Sequence, residues 1–118
     1  MMSSGFQSRR LSSAGFKDVF KAGIRFRIKG ATVLINRNPL GQTHLGIVVA
    51  KKQVKLATAR NRLKRLIKES FRRQHGHMQG YDFVIIARTE LAQFEKGLVQ
   101  QYLDKKWVHL VRLYEKQQ

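Results

Sequence analysis

Two short runs of apolar residues constrain the fold of this chain more than any other feature of its sequence. Residues 31–36 read ATVLIN and residues 81–87 read YDFVIIA. Neither run approaches the ~18–20 residues that a membrane span needs. Continuous apolar runs of this length are typical of strands buried within a sheet. The chain therefore requires a sheet, together with other elements that cover it.

Two further segments extend the predicted sheet to about four strands. Between residues 24 and 28, apolar side chains alternate with arginines, which is the period-two pattern of a strand with one apolar and one cationic face. Residues 44–50, HLGIVVA, form another strand after a turn at 38–41. Because so short a connection separates 31–36 from 44–50, we expect those two strands to pair antiparallel.

Three segments show the period of amphipathic helices. The first runs roughly from Ser13 to Lys21, with Ser12 or Ser13 as its N-cap. The second runs from about 58 to 74, and its apolar stripe consists of Leu63, Leu66, Ile67, Ser70 and Phe71. The third runs from about 96 to 114, and its stripe consists of Val99, Leu103, Trp107, Leu110, Val111 and Tyr114.

The order of these elements is α-β-β-β-α-β-α. This order predicts the α+β class, as a two-layer α/β sandwich whose mixed sheet has about four strands and whose two long helices bury their stripes against one face. A length of 118 residues suits one domain, residues 1–118. We expect residues 1–12 to be a flexible basic arm and residues 115–118 to be a frayed tail.

The charge balance indicates the class of partner. The chain has 24 lysines and arginines, 7 acidic residues and no cysteine, for a formal net charge of +17. Such a surface attracts polyanions, so nucleic acid is the expected partner, while an acidic membrane surface or an acidic protein is also compatible with it. The lack of cysteine excludes a disulfide scaffold and a thiolate zinc site. Without a signal-peptide pattern, we expect a cytoplasmic protein with no membrane association.

The cations concentrate in residues 51–73, which contain ten lysines and arginines and one acid, Glu69. On a helical wheel they form a ribbon beside the apolar stripe. Lys64, Lys68 and Arg72 stand four residues apart, where like charges destabilise a helix by ~0.2–0.5 kcal/mol per pair. Phosphates would relieve that repulsion, so the ribbon predicts an RNA- or DNA-binding helix. The alternative is a solvated charged face.

The candidate RNA-binding residues all come from this segment. Arginine side chains bind phosphate oxygens in a forked geometry, and an asparagine amide adds one donor and one acceptor group. The candidates are Lys52, Arg60, Asn61, Arg62, Lys64, Arg65, Lys68 and Arg72.

Catalytic and metal-binding patterns are absent from the sequence. His75 and His77 flank a glycine, but no carboxylates cluster near them, so a solvated loop is the favoured interpretation. Asp18, Asp82 and Glu90 form no recognisable acid–base pair. We therefore predict no catalytic residue, no metal site and no cofactor bound by the protein itself.

The sequence RNR at 60–62, preceded by VAKK and followed by LKRLIKESFR, resembles the bacterial ribonuclease P protein subunit family. The similarity extends to GFKDVFKAG at 15–23, to YDFVIIAR at 81–88 and to the last helix, so it covers nearly the whole chain. The RNR block in a basic helix, after a strand that ends in AKK, is its most specific part.

This resemblance implies a function and a partner. The family binds a large catalytic RNA, and the holoenzyme removes the 5′ leader of precursor tRNA by hydrolysing one phosphodiester bond. Magnesium ions held by the RNA subunit perform the chemistry, and no obligate protein partner is expected. The implied fold contains a left-handed β-α-β crossover, formed here by 44–50, 58–74 and 81–87.

The resemblance also assigns roles to residues. It implies that Arg60, Asn61, Arg62, Lys64, Arg65 and Lys68 face the catalytic RNA. It implies that Phe16 and Phe20 line a cleft for the single-stranded leader, where bases can stack on aromatic rings for ~1–3 kcal/mol each. Lys51, just past a strand end, is a candidate for leader phosphates. The alternative for both phenylalanines is packing of a small helix onto the sheet.

Two other functions compete with this hypothesis. A structural RNA-binding protein of the ribosomal type would use the same charge, but it has no need of an aromatic cleft. A DNA-binding domain would use the basic helix for recognition, but the sequence lacks a compact helix-turn-helix pattern.

Overall fold

A computed structural model describes residues 9–117 of the chain. Within that range the elements, in chain order, are the strands and helices β1 Arg9–Arg10, α1 Ser13–Ala22, β2 Ile24–Ile28, β3 Ala31–Arg37, β4 His44–Val49, α2 Ala57–Arg73, β5 Tyr81–Ala87, α3 Thr89–Ala92 and α4 Lys96–Lys116. A 3-10 turn at His75–His77 precedes β5. The predicted α+β class is confirmed, as is the order of the three longer helices and four longer strands.

The strands form one mixed sheet in the order β1-β4-β5-β3-β2. β5 pairs antiparallel with β3 and parallel with β4, so the predicted antiparallel pairing of β3 with β4 is wrong. The physical reason is the burial of β5, in which Phe83, Val84 and Ile85 are all 0% exposed. Because successive side chains point to opposite faces, such a strand belongs at the centre of a sheet that is covered on both sides.

The segments β4, α2 and β5 form a β-α-β crossover, because β4 and β5 are adjacent and parallel. The predicted crossover is therefore present, and the left hand that the resemblance implies stays a prediction. This connection brings α2 back against β4, near one edge of the sheet. The basic segment is thereby held beside a sheet edge.

The main core lies between one sheet face and helices α2 and α4. Every residue of the two predicted helix stripes is buried, and they pack against alternate residues of the strands. Phe71, Phe83 and Trp107 meet edge to face, with ring centroids between 5.1 and 5.7 Å apart. Such aromatic pairs add ~0.5–1.5 kcal/mol beyond the burial of their area. The core therefore fixes α2 firmly on the sheet.

A buried polar link joins α2 to α4. The Ser70 hydroxyl accepts a hydrogen bond from Trp107 Nε1 at 2.9 Å and donates to Asp104 Oδ1. Asp104 also accepts two hydrogen bonds from Arg73, each 3.0 Å long. Ser70 lies on the apolar stripe because its hydroxyl satisfies the indole N–H that the core would otherwise leave unpaired.

Helix α1 covers part of the opposite sheet face. Its N-cap is Ser12, whose side chain accepts a hydrogen bond from the backbone N–H of Gly15. Val19 of α1 packs with Leu34 and Val84 in a second, smaller cluster. The two long helices thus lie on one face as predicted, and α1 adds a partial layer on the other.

Both predicted chain ends need correction within the described residues. The sequence predicts a flexible basic arm over residues 1–12, but β1 pairs in parallel with β4 and Leu11 is only 5% exposed. Leu11 packs in the cluster beneath α1, which holds this stretch in place. Residues 1–8 of the predicted arm lie outside the described part of the chain.

At the other end, α4 continues to Lys116 instead of fraying from residue 115. Glu115 accepts a hydrogen bond from the Tyr81 hydroxyl at 2.8 Å, which ties the last helical turn to β5. Burial and this hydrogen bond raise the pKa of Tyr81, so the hydroxyl stays protonated and keeps donating. Residue 118 lies outside the described residues.

Candidate nucleic-acid interface

An open groove of about 570 Å³ runs along the edge of the sheet between α1 and α2. It exists because β1 has only two residues, which pair with His44 and Leu45 and leave the rest of β4 without an outer partner strand. Its floor consists of Leu45, Gly46 and Ile47. We refer to it as the α1–α2 groove.

One wall of this groove is the cationic side of α2. Asn61, Lys64, Lys68 and Arg72 line it, and Arg10 lines it from the other end. No acidic residue is among the lining residues. The predicted ribbon of Lys64, Lys68 and Arg72 therefore lines a concave surface. We refer to these three residues as the α2 ribbon. Eight residues of helix place its first and last members about 12 Å apart along the helix axis.

The cations of the α2 ribbon have no carboxylate to neutralise them. Among the described residues, the ion pairs within 4.0 Å are His44–Asp82 and Arg73–Asp104, and neither involves the ribbon. The like charges therefore repel one another along the helix, at the cost expected for such pairs. A phosphate chain in the groove would neutralise them and release its own condensed counterions.

The opposite wall of the groove carries an aromatic ring, that of Phe16. The ring lies directly on β4, and a Cβ atom added at Gly46 would approach its Cζ to 2.4 Å. Only glycine leaves room for the ring at this point of the strand. Phe16 is half-buried and packs partly against the cluster beneath α1. It therefore serves both the packing of α1 and the lining of the groove.

Phe20 lies one turn further along α1 and does not line the groove. Its ring stacks near that of Phe16, with centroids 6.3 Å apart and planes inclined by 21°. It is 42% exposed, an unusual degree for a phenylalanine. The two rings thus form a short aromatic surface that begins in the groove and continues onto exposed α1.

The structure places three of the four predicted arginines outside the groove lining. The Arg60 guanidinium donates to the carbonyl oxygens of Val54 at 3.0 Å and Lys55 at 2.8 Å. Arg62 lies on the other side of α2, in a shallow depression that also involves Phe94. Arg65 is exposed and lies outside the groove. Only half of the predicted RNA-binding set, Asn61 and the three ribbon cations, converges on one site.

The two predicted lysines after β4 also lie away from the groove. Lys51 and Lys52 are exposed in a turn that ends at Gln53. That turn is held in place, because the Thr89 backbone N–H donates to Gln53 Oε1 at 2.9 Å and the Thr89 hydroxyl donates to the Gln53 carbonyl at 2.8 Å. The turn therefore presents two lysine side chains on the surface near the end of β4.

Sequence reasoning missed Arg10 and the floor of the groove. Arg10 belongs to the segment predicted to be flexible, and its pairing with Leu45 depends on a two-residue bridge that no periodicity reveals. The glycine at 46 is the one available signal, since a glycine inside a strand often marks a close approach.

Two of the histidines lie close to polar partners. The His44 ring Nδ1 lies 2.8 Å from Asp82 Oδ1, and the Asn38 amide donates to the same oxygen at 3.2 Å. His75 Nδ1 lies close to the Arg72 carbonyl oxygen. Within residues 9–117, no group of three or more histidines and acids is placed to hold a metal ion. No helix in that range has the length and apolarity needed to cross a membrane.

Known proteins resemble this chain in sequence and in fold. The family model for ribonuclease P matches residues 7–111. A ribonuclease P protein component from Histophilus somni is 39% identical over 98% of this chain and 99% of its own length. The solved structure of the Staphylococcus aureus RNase P protein superposes with a TM-score of 0.76, at 26% identity, over 90% of this chain and 95% of that one. The Thermotoga maritima RNase P protein gives a TM-score of 0.69 at 32% identity, over 84% and 96%.

Proposed function

The chain belongs to the ribonuclease P protein family, and on that premise we propose that it is the protein subunit of a ribonucleoprotein endonuclease that removes the 5′ leader of precursor tRNA in the cytoplasm. The observation that carries the proposal is the α1–α2 groove, which combines an aromatic ring with uncompensated cations and no acid. Those are the two components of a surface for single-stranded nucleic acid: a stacking platform and a charged track for phosphates.

The groove suits the leader because its contacts do not depend on base identity. Every base has a face that can stack on Phe16 or on the neighbouring Phe20, and the α2 ribbon binds phosphates and not base edges. A subunit that serves many precursors needs this tolerance. We assign the leader to the groove, with Phe16 as its stacking residue and Lys64, Lys68 and Arg72 as its phosphate contacts.

The cations outside the groove suit the RNA subunit. Arg62 lies in the depression on the other side of α2, Arg65 is exposed and outside the groove lining, and Lys52 lies in the turn that Thr89 holds in place. A folded RNA that contacts this side of α2 can reach them without competing with the leader. Arg60 has a different role in this proposal, since its two carbonyl contacts hold the segment before α2. It therefore positions the helix for both RNAs.

The hydrolysis itself is assigned to the RNA subunit and its magnesium ions. The groove is lined by cations, and a divalent cation that prefers carboxylate and phosphate oxygens is repelled there. The protein's contribution is to bind the leader, to neutralise phosphate charge and so to lower the magnesium concentration at which the RNA works.

Reconstitution tests this function. The purified protein is mixed with a bacterial ribonuclease P RNA and a labelled precursor tRNA at a magnesium concentration where the RNA alone is slow. We expect the protein alone to be inactive and the mixture to release the leader faster than the RNA alone. Cleavage by RNA-free protein, or no stimulation of the RNA, would contradict the proposal. Binding to duplex DNA in preference to either RNA would favour a DNA-binding domain.

A further inference from the structure

A second basic groove lies on the other side of the molecule, between the edge strand β2 and helix α4. It has a volume of about 410 Å³, and its cationic lining residues are Arg27, Lys29 and Lys106, with His109 beside them. Its floor is apolar and includes Phe26 and Leu110. We call it the β2–α4 groove. None of its residues lines the α1–α2 groove.

The two grooves are too far apart to be one site. In the sheet order β1-β4-β5-β3-β2, three strand spacings separate β4 from β2. At ~4.8 Å per spacing, that is about 14 Å between the strands alone. A strand of RNA that occupies the α1–α2 groove therefore leaves the β2–α4 groove open to a different segment.

Each lysine of this second groove lies over an aromatic ring. Lys106 Nζ lies 5.3 Å from the centroid of the Tyr102 ring, and Lys29 Nζ lies 5.6 Å from the centroid of Phe94. The backbone N–H of Lys29 donates to the Tyr102 hydroxyl at 2.7 Å. Aromatic faces attract ammonium groups without neutralising them. Both ammonium groups therefore keep their charge for an anionic ligand.

The groove also has the donors that a phosphate needs and lacks a competing acid. No carboxylate lines it, and no ion pair within 4.0 Å among the described residues involves its cations. Burial raises the pKa of Tyr102, so its hydroxyl keeps a proton that it can donate to an oxygen. The negative charge of Glu90 also raises the pKa of Tyr102, and the positive charge of Arg88 lowers it.

We propose that the β2–α4 groove is a second RNA-docking surface, which binds the phosphate backbone of the RNA subunit while the α1–α2 groove holds the leader. This inference rests on the proposed function. Charge complementarity identifies the occupant: cations on a strand and a helix, a phenolic donor and no acid match a phosphodiester chain. The RNA subunit is the favoured source, because the single-stranded leader is already accommodated at the opposite side of the sheet. A protein of 36 × 35 × 26 Å can contact a large RNA through both surfaces.

The test uses the full-length protein and the RNA subunit without tRNA. The double variant Lys29→Gln/Lys106→Gln removes two groove cations, and Lys105→Gln/Arg112→Gln removes two from the exposed part of α4 outside the groove. Removing one phosphate contact should reduce affinity roughly 5-fold near 0.15 M salt and lower the slope of log affinity against log salt by about 0.9. We expect affinity to fall about 30-fold and the slope to be smaller by nearly 2 for the groove variant only.

Other results would overturn the inference. Equal losses for both double variants would show that only the total charge matters, and no loss for either would show that the groove is not a docking surface. A second titration includes precursor tRNA, and a loss of affinity that appears only there would assign the groove to the substrate instead of the RNA subunit. Failure of the wild-type protein to bind the RNA subunit would overturn this inference and the proposed function together. A thermal melt confirms that both variants are folded.

Discussion

At the scale of single residues, Phe16 shows how packing and function share one side chain. Its ring rests on Gly46 and contributes to the cluster beneath α1, and the same ring forms a wall of the α1–α2 groove. The two interpretations that the sequence leaves open for Phe16, packing and leader binding, are therefore compatible in this fold. A substitution must separate them by what it changes: stability or the discrimination between RNAs.

Replacing Phe16 by Ala should weaken binding of precursor tRNA to the holoenzyme by about 1–3 kcal/mol, because the leader loses a stacking surface. Mature tRNA has no leader, so its affinity should hardly change. The measurement is the pair of affinities for wild type and variant, with a thermal melt beside it. Phe16→Leu is the matched control, since it keeps most of the packing volume but not the flat ring. Equal losses for both tRNAs would assign Phe16 to packing alone.

The hydrogen bonds of Ser70 lead to a prediction about the stability of the fold. Ser70→Ala leaves the buried Trp107 N–H without its acceptor, and an unsatisfied buried donor costs about 1–3 kcal/mol. Chemical denaturation should show a loss of that size in the free energy of unfolding. Thr58→Ala, at an exposed position of the same helix, should change it by less than about 0.5 kcal/mol. An equal effect of the two substitutions would show that the buried link contributes nothing.

At the scale of elements, the start of α2 depends on an unusual arrangement. The residue before the helix is Leu56, which supplies no capping hydrogen bond, and the first turn contains no acid. Arg60 compensates from within the helix by binding the carbonyl oxygens of Val54 and Lys55. These bonds join the helix to the chain that leads into it.

Arg60→Ala should therefore loosen the segment before α2 and lower stability by about 1 kcal/mol, since the hydrogen bonds are charge-assisted but partly exposed to solvent. Arg60→Lys should not fully restore it, because the shorter lysine side chain does not bring its ammonium group to the position of Nη1, which donates both hydrogen bonds. Hydrogen exchange of the amides in the first turns of α2 provides the readout. Arg62→Ala is the control, and faster exchange in that variant as well would contradict a special role for Arg60.

Sequence periodicity predicted the elements that have strong patterns of their own. The stripes of α2 and α4 are buried residue for residue, because helix amphipathicity is a local property. Strand order is not local, so the central position of β5 between β3 and β4 escaped prediction. The same limit applies to β1, whose two residues are held by their partner strand and not by any propensity.

The candidate site was predictable in part for the same reason. Three like charges at a spacing of four predicted the α2 ribbon, and the structure places them together in a groove. The separate positions of Arg60, Arg62 and Arg65 depend on which side of α2 meets the sheet edge and the loop before it. Residue type and the family resemblance together assigned all of them to RNA.

At the scale of the whole molecule, the chain has a net charge of +17, and seven of its 24 lysines and arginines line two grooves at opposite edges of one sheet. Raising the salt concentration should weaken the binding of RNA to both grooves. Substitutions in one groove should change the salt dependence of binding only for the RNA segment that this groove contacts. The central claim is that the α1–α2 groove binds the leader. Charge substitutions in the α2 ribbon test this claim most directly.

The most direct measurement is the salt dependence of tRNA binding by a holoenzyme that carries Lys64→Gln/Lys68→Gln/Arg72→Gln. The control triple is Lys105→Gln/Arg112→Gln/Lys116→Gln, which removes the same charge from α4. Each single-strand phosphate contact contributes about 0.7 to the slope of log affinity against log salt concentration. For the ribbon variant, this slope should be smaller by about 2 with precursor tRNA and almost unchanged with mature tRNA. The control triple should change neither slope. Equal losses for precursor and mature tRNA, or equal effects of the two triples, would contradict the assignment of the leader to this groove.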